Sequence, residues 1–140
     1  MKSAVDSSVI IAATNPDDPD HKSCAALFTS VSRCAYSHAL SETFSTLTGG
    51  RLGFRVPPSQ AAGIIRDQIK PHLNLISLDE NDLITAFEEA EFRGIRGGAI
   101  YDYLHLFAAR KAGSKIFHTL NQSDFLAFHR PGDPAIRLPQ

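Results

Sequence analysis

Short apolar runs alternate with longer amphipathic stretches along the whole chain of 140 residues. Apolar runs that are bounded by turn residues are typical of buried strands, and apolar residues at three- and four-residue spacing are typical of helices. The predicted strands cover residues 3–5, 34–37, 73–78 and 115–118, with a last edge strand at 135–138. The first predicted helix begins after residue 6. The other predicted helices cover residues 20–32, 38–48, 59–70, 79–93 and 99–112.

Because strands and helices alternate, the chain is predicted to have an α/β fold with right-handed crossovers. Its centre would be a mostly parallel sheet of four to five short strands, with helices on both faces. Local signals set several boundaries: Asp20 and Asp79 are suited to N-cap positions, and the pair Gly49-Gly50 ends a helix. Residues 119–125 are predicted to form a polar loop beyond the fourth strand.

Length and composition place limits on what the chain can be. A chain of this length is expected to form one domain, spanning residues 1–140. The formal net charge of −1 excludes nucleic-acid binding driven by bulk positive charge, although local binding stays open. Cys24 and Cys34 do not form a ligand-like pair and are expected to be small core residues. No membrane-spanning run or signal segment is recognised, so a cytoplasmic location is expected.

Four acids follow the predicted strands in a way that brings them together. Asp6 follows the first strand, Glu42 lies one turn into the helix after the second, and Asp124 follows the fourth. Asp102 lies in the first turn of the helix that leads to the fourth strand. Taken alone, each acid has an ordinary explanation, and Asp6 in particular is suited to be an N-cap. In a parallel sheet, however, all these positions lie at the carboxyl edge, where such folds carry their chemistry.

Convergence of carboxylates requires a proton or a cation. Two carboxylates about 4 Å apart repel by roughly 4 kcal/mol at an effective dielectric constant near 20. The predicted cluster contains only oxygen ligands and no Cys/His set, which favours Mg²⁺ or Mn²⁺ over zinc. Hard cations among carboxylates are typical of enzymes that break phosphodiester bonds.

The ordered motifs of the chain resemble those of the PIN-domain ribonucleases, and most closely those of the VapC toxins of bacterial toxin–antitoxin pairs. The motifs are Val-Asp-Ser-Ser-Val, Ser-Glu-Thr-Phe, Tyr-Asp-Tyr-Leu-His-Leu-Phe-Ala-Ala and His-Thr-Leu-Asn-Gln-Ser-Asp-Phe. The resemblance covers essentially the whole chain. It implies a PIN-like three-layer fold and a Mg²⁺- or Mn²⁺-dependent endoribonuclease that leaves a 5′-phosphate and a 3′-hydroxyl.

The resemblance also assigns roles to individual residues and partners. Asp6, Asp102 and Glu42 would hold the metal, and Asp124 would be the fourth catalytic acid. Thr119 and Asn121 match the polar residues that accompany the fourth acid. The implied partners are an RNA substrate, a VapB-type antitoxin and a second copy of the chain in a homodimer.

Several other residues near these motifs have expected roles. His105, one turn after Asp102, is expected to be a hydrogen-bonded helix residue rather than a substrate contact. Tyr103 stands where the family often has a small residue, so we expect it to alter the wall of the pocket. The candidate phosphate contacts, each equally well explained as a solvated side chain, are Arg51, Arg55, Arg93 and Arg96.

Two other classes of protein stay open at this stage. The first is a PIN-like RNA-binding or adaptor module without catalysis, against which the presence of all four acids counts. The second is a phosphatase with an aspartyl nucleophile, since Asp6 follows the first strand. That chemistry usually uses a second acid two residues later, where this chain has Ser8.

Overall fold

A computed structural model describes residues 2–29 and 31–140 of the chain. The described part contains five strands: β1 (Ser3–Val5), β2 (Arg33–Tyr36), β3 (Leu73–Ile76), β4 (Ile116–His118) and β5 (Ala135–Arg137). It also contains seven α-helices: α1 (Ser7–Thr14), α2 (His21–Ala26), α3 (His38–Gly49), α4 (Pro58–Ile64), α5 (Glu80–Glu89), α6 (Ala99–Lys111) and α7 (Gln122–Leu126). The predicted alternation of strands and helices is confirmed.

The five strands form one sheet in the order β3-β2-β1-β4-β5, and every neighbouring pair is parallel. The chain builds the sheet outward from β1 to β3, then returns to place β4 on the other side of β1. In register, Val5 of β1 pairs with His118 of β4. This reversal makes the gap beyond β1 and β4 the topological switch point, where open α/β sheets leave a crevice.

Apolar side chains pack on both faces of the sheet. On one face, Phe117 packs with residues of α5, α6 and α7, including Tyr103 and Phe125. On the other, Val5 packs with residues of α1, α2, α3 and the segment before β3, including Val9 and Ile69. The result is the predicted three-layer α/β arrangement. Cys24 and Cys34 are buried and free, as expected of small core residues. Each belongs to one of the two apolar clusters that pack on the sheet.

Helix boundaries follow the predicted signals in two places. Gly50 ends α3 in the left-handed conformation, with φ of 85°, which a glycine adopts without steric cost. Asp79 and Asp82 form a capping box at the start of α5, in which each side chain accepts a hydrogen bond from the other residue's backbone N–H. The predicted helix from 79 to 93 ends at Glu89, and a 3₁₀ turn covers Glu91–Arg93.

Two predicted helices differ from the observed ones. The helix predicted over residues 20–32 covers only His21–Ala26, because the chain turns early to enter β2. The guanidinium of Arg33 donates to the carbonyl groups of Leu27 and Val31 and so satisfies this turn. Residue 30 lies outside the described residues. The helix predicted over 59–70 is an α-helix only to Ile64 and continues as a π-helix over Ile65–Ile69.

The polar loop predicted over residues 119–125 is partly wrong. Residues from Gln122 form the short helix α7, with Asp124 in its first turn. Phe125 is fully buried beneath it, in contact with the ring of Phe117 at a centroid distance of 4.7 Å. Burial of this aromatic ring fixes the segment as a helical turn. Among the described residues, no helix is long and apolar enough to span a bilayer.

Candidate active site

Asp6 lies directly after β1 and is the N-cap of α1, as its ordinary explanation predicted. Its backbone is extended, and its Oδ1 accepts a hydrogen bond from the backbone N–H of Val9 at 3.3 Å. Two hydroxyls hold the same carboxylate: Ser8 Oγ donates to Oδ1 at 2.5 Å, and Thr119 Oγ1 donates to Oδ2 at 2.7 Å. Asp6 is therefore more than a cap, because Thr119, from the segment after β4, fixes it at the switch point.

Burial dominates the electrostatics of Asp6, which is only 4% exposed. Loss of water around the carboxylate raises its pKa above the ordinary value. The hydroxyls of Ser8 and Thr119 and the nearby ring of His105 oppose this shift. The position two residues after Asp6, where the phosphatase alternative would use a second acid, holds Ser8, whose hydroxyl donates to Asp6.

Glu42 lies in the second turn of α3 and is paired with a buried histidine. His105 Nε2 and Glu42 Oε1 are 2.7 Å apart, and a carboxylate can only accept, so Nε2 carries the proton. His105 is 3% exposed, and the edge of its ring packs against Tyr36. The expectation that His105 is a hydrogen-bonded helix residue is confirmed. Its partner, however, is one of the candidate catalytic acids.

The net effect of this environment on Glu42 is to favour its ionised form. Burial is the largest single cause and raises the pKa of Glu42, and the hydrogen bond and charge of His105 are the largest causes that lower it. The charge of His38 and the hydroxyl of Ser7 act in the same direction. The pKa of Glu42 is therefore below its ordinary value, and the group is an anion at neutral pH.

Asp102 and Asp124 lie together at the start of α6 and on α7, where both line a cavity of about 310 Å³. Asp102 is partly buried, and Asp124 is exposed. Burial is the largest cause that raises the pKa of Asp102, and the charge of His105 is the largest that lowers it. The carboxylates of Asp6, Asp124 and Glu42 raise the pKa of Asp102 further. The structure thus places Asp6, Glu42 and Asp124 within electrostatic range of Asp102.

The donor set fits a hard divalent cation in its chemistry. The candidate ligands Asp6, Glu42 and Asp102 offer carboxylate oxygens, which Mg²⁺ and Mn²⁺ prefer. The mutual repulsion that raises the pKa of Asp102 is the effect that a bound cation would relieve. In residues 2–29 and 31–140, however, no three His, Cys, Asp or Glu side chains are grouped so that they could hold a metal ion. A metal site here stays a prediction.

The predicted supporting residues, Thr119 and Asn121, lie in the segment between β4 and α7. Thr119 is fully buried, and its hydroxyl, besides donating to Asp6, accepts the backbone N–H of Asn121 at 3.0 Å. Asn121 precedes α7 and lines a larger cavity, of about 630 Å³, together with Glu42. Ser8 completes the link, since its hydroxyl accepts the backbone N–H of Leu120 at 3.0 Å. The sequence carried no signal for this bridge between α1 and the segment after β4.

Tyr103 does not affect the pocket in the expected way. It is fully buried, and its hydroxyl donates to Glu89 Oε1 at 2.6 Å. Burial, with this hydrogen bond, raises the pKa of Tyr103 to about 12, so it acts as a neutral donor. The guanidinium of Arg93 lies over its ring, 4.8 Å from the centroid. The side chain of Tyr103 therefore belongs to the core between α6 and the sheet. It forms no part of the wall of either cavity near the acids.

The comparisons with known proteins identify the fold. No protein-family model matches the chain, and no curated protein matches it in sequence. Among solved structures, the chain is similar to VapC20 of Mycobacterium tuberculosis, described as a toxin that cleaves the sarcin-ricin loop. The match has a TM-score of 0.69 and 20% sequence identity, and it covers 93% of this chain and 100% of VapC20. The chain has a PIN-like fold.

The PIN-like fold accounts for the position of the acids. It places β1 between β2 and β4, so that the segments after these three strands open at one edge of the sheet. Asp6, Glu42 and Asp124 follow those strands, and α6 brings Asp102 to the same edge. The fold resemblance inferred from the motifs is confirmed.

Proposed function

We propose that this protein is a metal-dependent endoribonuclease that acts as the toxin of a VapBC-type toxin–antitoxin pair, built as one PIN domain over residues 1–140. The observation that supports the proposal is that the charges of Asp6, Glu42 and Asp124 act on Asp102 at one edge of a PIN-like sheet. VapC20, which has the same fold, is a toxin that cleaves the sarcin-ricin loop. This supports an RNA phosphodiester as the substrate.

Each acid has a role in this proposal. Asp6, Asp102 and Glu42 would hold Mg²⁺ or Mn²⁺, and Asp124 with Asn121 would support or orient that set. Such an ion would lower the pKa of a bound water and neutralise charge on the phosphodiester. Thr119 fixes the carboxylate of Asp6 and thereby presets its orientation. Mutation of residues that orient metal ligands in this way typically lowers metal affinity or activity by about 10- to 100-fold.

The proposed partners follow from the same site. The RNA substrate would bind at the edge of the sheet where Glu42 and Asp102 line cavities. A VapB-type antitoxin that covers these cavities would block access and so inhibit the enzyme. We further propose a homodimer and a cytoplasmic location, where RNA and the antitoxin are available.

A second candidate function is a PIN-like RNA-binding or adaptor module without catalysis. The observation that favours it is the spacing of the acids, which in the described residues form no group of three able to hold a metal ion. The two functions differ in whether RNA is cut, so one experiment separates them.

The test is cleavage of total RNA and of a sarcin-ricin loop RNA by the purified protein, with Mg²⁺, Mn²⁺ or EDTA. Asp6→Asn is the test variant. Asp67→Asn is the matched control, because Asp67 is an exposed acid whose ion pair is with its neighbour Arg66. We expect discrete fragments that require metal, persist with Asp67→Asn and disappear with Asp6→Asn.

Two results would contradict the proposal. If no RNA is cut with any metal but RNA still binds, the protein is a binding module. If cleavage continues with Asp6→Asn, the activity does not come from this site.

A further inference from the structure

Three of the four candidate acids line two cavities of different character, and the fourth, Asp6, is buried and lines neither. Glu42 lines the larger one, of about 630 Å³, which we name the hydroxyl cavity because Ser41, Ser45 and Thr46 of α3 contribute to its wall. Asp102 and Asp124 line the smaller one, of about 310 Å³. Each cavity also has one arginine on its wall. The state of these two arginines decides which cavity suits an RNA strand.

The arginine of the smaller cavity, Arg93, is already neutralised. Its guanidinium donates to both carboxylate oxygens of Asp133, at 2.5 and 3.2 Å, and to the carbonyl of Phe128 at 3.3 Å. The side chain of Asp133 is 2% exposed and that of Arg93 is 11% exposed, so the pair is shielded from solvent. With Arg93 held in this way, the lining of the smaller cavity has no free guanidinium to offset the carboxylates of Asp102 and Asp124.

The arginine of the hydroxyl cavity, Arg51, is available. It is exposed, and in the described part of the chain its side chain forms no ion pair or hydrogen bond. The hydroxyls of Ser41 and Ser45 are four residues apart and therefore lie on one face of α3. Hydroxyls can donate to phosphate oxygens and both donate to and accept from ribose hydroxyls. The acids on the wall of this cavity are Glu42 and Asp18.

We propose that a single-stranded segment of the RNA substrate occupies the hydroxyl cavity, with Arg51 contacting a phosphate next to the bond that is cut. This inference rests on the proposed function. A cavity of this size is within the range of about 300–1,000 Å³ that accommodates small-molecule groups, so it holds an unstacked nucleotide rather than a duplex. The strand approaches the acids from the side of Glu42, and the smaller cavity is not part of its path.

The test measures binding of a fluorescein-labelled, twelve-nucleotide oligo-uridine in Mg²⁺, by anisotropy between 50 and 300 mM KCl. Every protein compared in this assay also carries Asp6→Asn, so that the oligonucleotide is not cleaved. Loss of one phosphate contact on a single strand lowers the slope of log K against log salt by about 0.7, which is about fivefold weaker binding at 0.1 M salt. We expect this change for Arg51→Gln and none for Lys115→Gln, an exposed cation that precedes β4 and lines neither cavity.

A second variant tests the cavity itself. Ser45→Leu places an apolar side chain at an exposed position on its wall, so we expect weaker binding with an unchanged Tm. Thr85→Leu on α5 is the control, because Thr85 is also exposed but lies outside the cavity. If the oligonucleotide does not bind, or binds equally to both variants and their controls, the inference is wrong.

The two proposals fail in different ways. If the unmutated protein cuts RNA while Arg51→Gln and Ser45→Leu bind as the controls do, the inference is overturned and the ribonuclease function stands. If the protein cuts no RNA but binding depends on Arg51 and Ser45, the cavity binds RNA and the enzyme proposal is overturned.

Discussion

The hydroxyl of Thr119, which follows β4, donates to the buried carboxylate of Asp6, which follows β1, and so links the ends of these two neighbouring strands. Replacing Thr119 tests how Asp6 is held. Thr119→Val keeps the shape of the side chain but removes the donor to Asp6 Oδ2 and the acceptor for the backbone N–H of Asn121. Loss of a hydrogen bond to a charged group costs about 1.5–3 kcal/mol, and the unpaired N–H adds about 1 kcal/mol. We therefore expect a loss of about 2.5–4 kcal/mol in the free energy of unfolding.

This loss should depend on pH in a defined direction. Burial already raises the pKa of Asp6, and removing a donor raises it further. A carboxyl with a raised pKa in the folded state opposes folding once it ionises. This cost is absent at low pH, where Asp6 is protonated in both states, and grows as pH rises through the unfolded-state pKa to the folded-state pKa. The difference between Thr119→Val and the unmutated protein should therefore be larger at pH 7.5 than at pH 3.5.

The assay is urea denaturation followed by circular dichroism at both pH values. The control Thr119→Ser keeps the hydroxyl and loses one methyl group, at a cost of about 1 kcal/mol. In a double-mutant cycle with Asp6→Asn, we expect a coupling energy of at least about 1 kcal/mol, as for residues in direct contact. A loss that is the same at both pH values and in both backgrounds would refute the reasoning, because it would not involve the carboxylate.

Two further substitutions separate function from stability. Asp102→Asn removes a carboxyl whose pKa is raised by burial and neighbouring acids. Its ionisation opposes folding, so we expect the variant to lose RNA cleavage yet to unfold at higher urea concentrations at pH 7, with no gain at pH 3. His105→Asn removes the donor to Glu42 Oε1 and should lower the cleavage rate by about 10- to 100-fold. His105→Gln retains an amide donor near the position of Nε2 and should restore most of the rate.

The controls for these two predictions use the same denaturation and cleavage assays. An Asp102→Asn variant that is less stable than the unmutated protein at pH 7 would show that the carboxylate makes a favourable contact which the structure does not contain. For His105, both substitutions remove the buried ring and should destabilise the fold to a similar extent. Equal cleavage rates for the Gln and Asn variants would mean that His105 supports the fold only and does not position Glu42.

The pattern of the sequence was sufficient for the architecture. Apolar runs and three- to four-residue spacing report the local geometry of strands and helices, and alternation of the two leaves few topologies other than a parallel sheet. The order of the strands then places the residues after β1, β2 and β4 at one edge. For this reason Asp6, Glu42 and Asp124 could be predicted to converge from their positions alone.

Local detail was predicted less well where contacts from elsewhere in the chain override it. The helical turn of α7 buries Phe125 against Phe117 of β4. This packing is a tertiary contact, which the polar pattern of residues 119–125 does not encode. The same reason explains why the bridge formed by Ser8 between Asp6 and the segment after β4 was missed.

The sequence by itself determined the α/β fold, the order of its elements and the edge at which the acids meet, because periodicity and alternation are local properties of the chain. Only the tertiary structure decided which side chains pair. Thr119 reaches Asp6 across 113 residues and His105 reaches Glu42 across 63, and Arg93 is neutralised while Arg51 is not. Such pairings depend on how helices pack on the sheet, and spacing within one element carries no information about them.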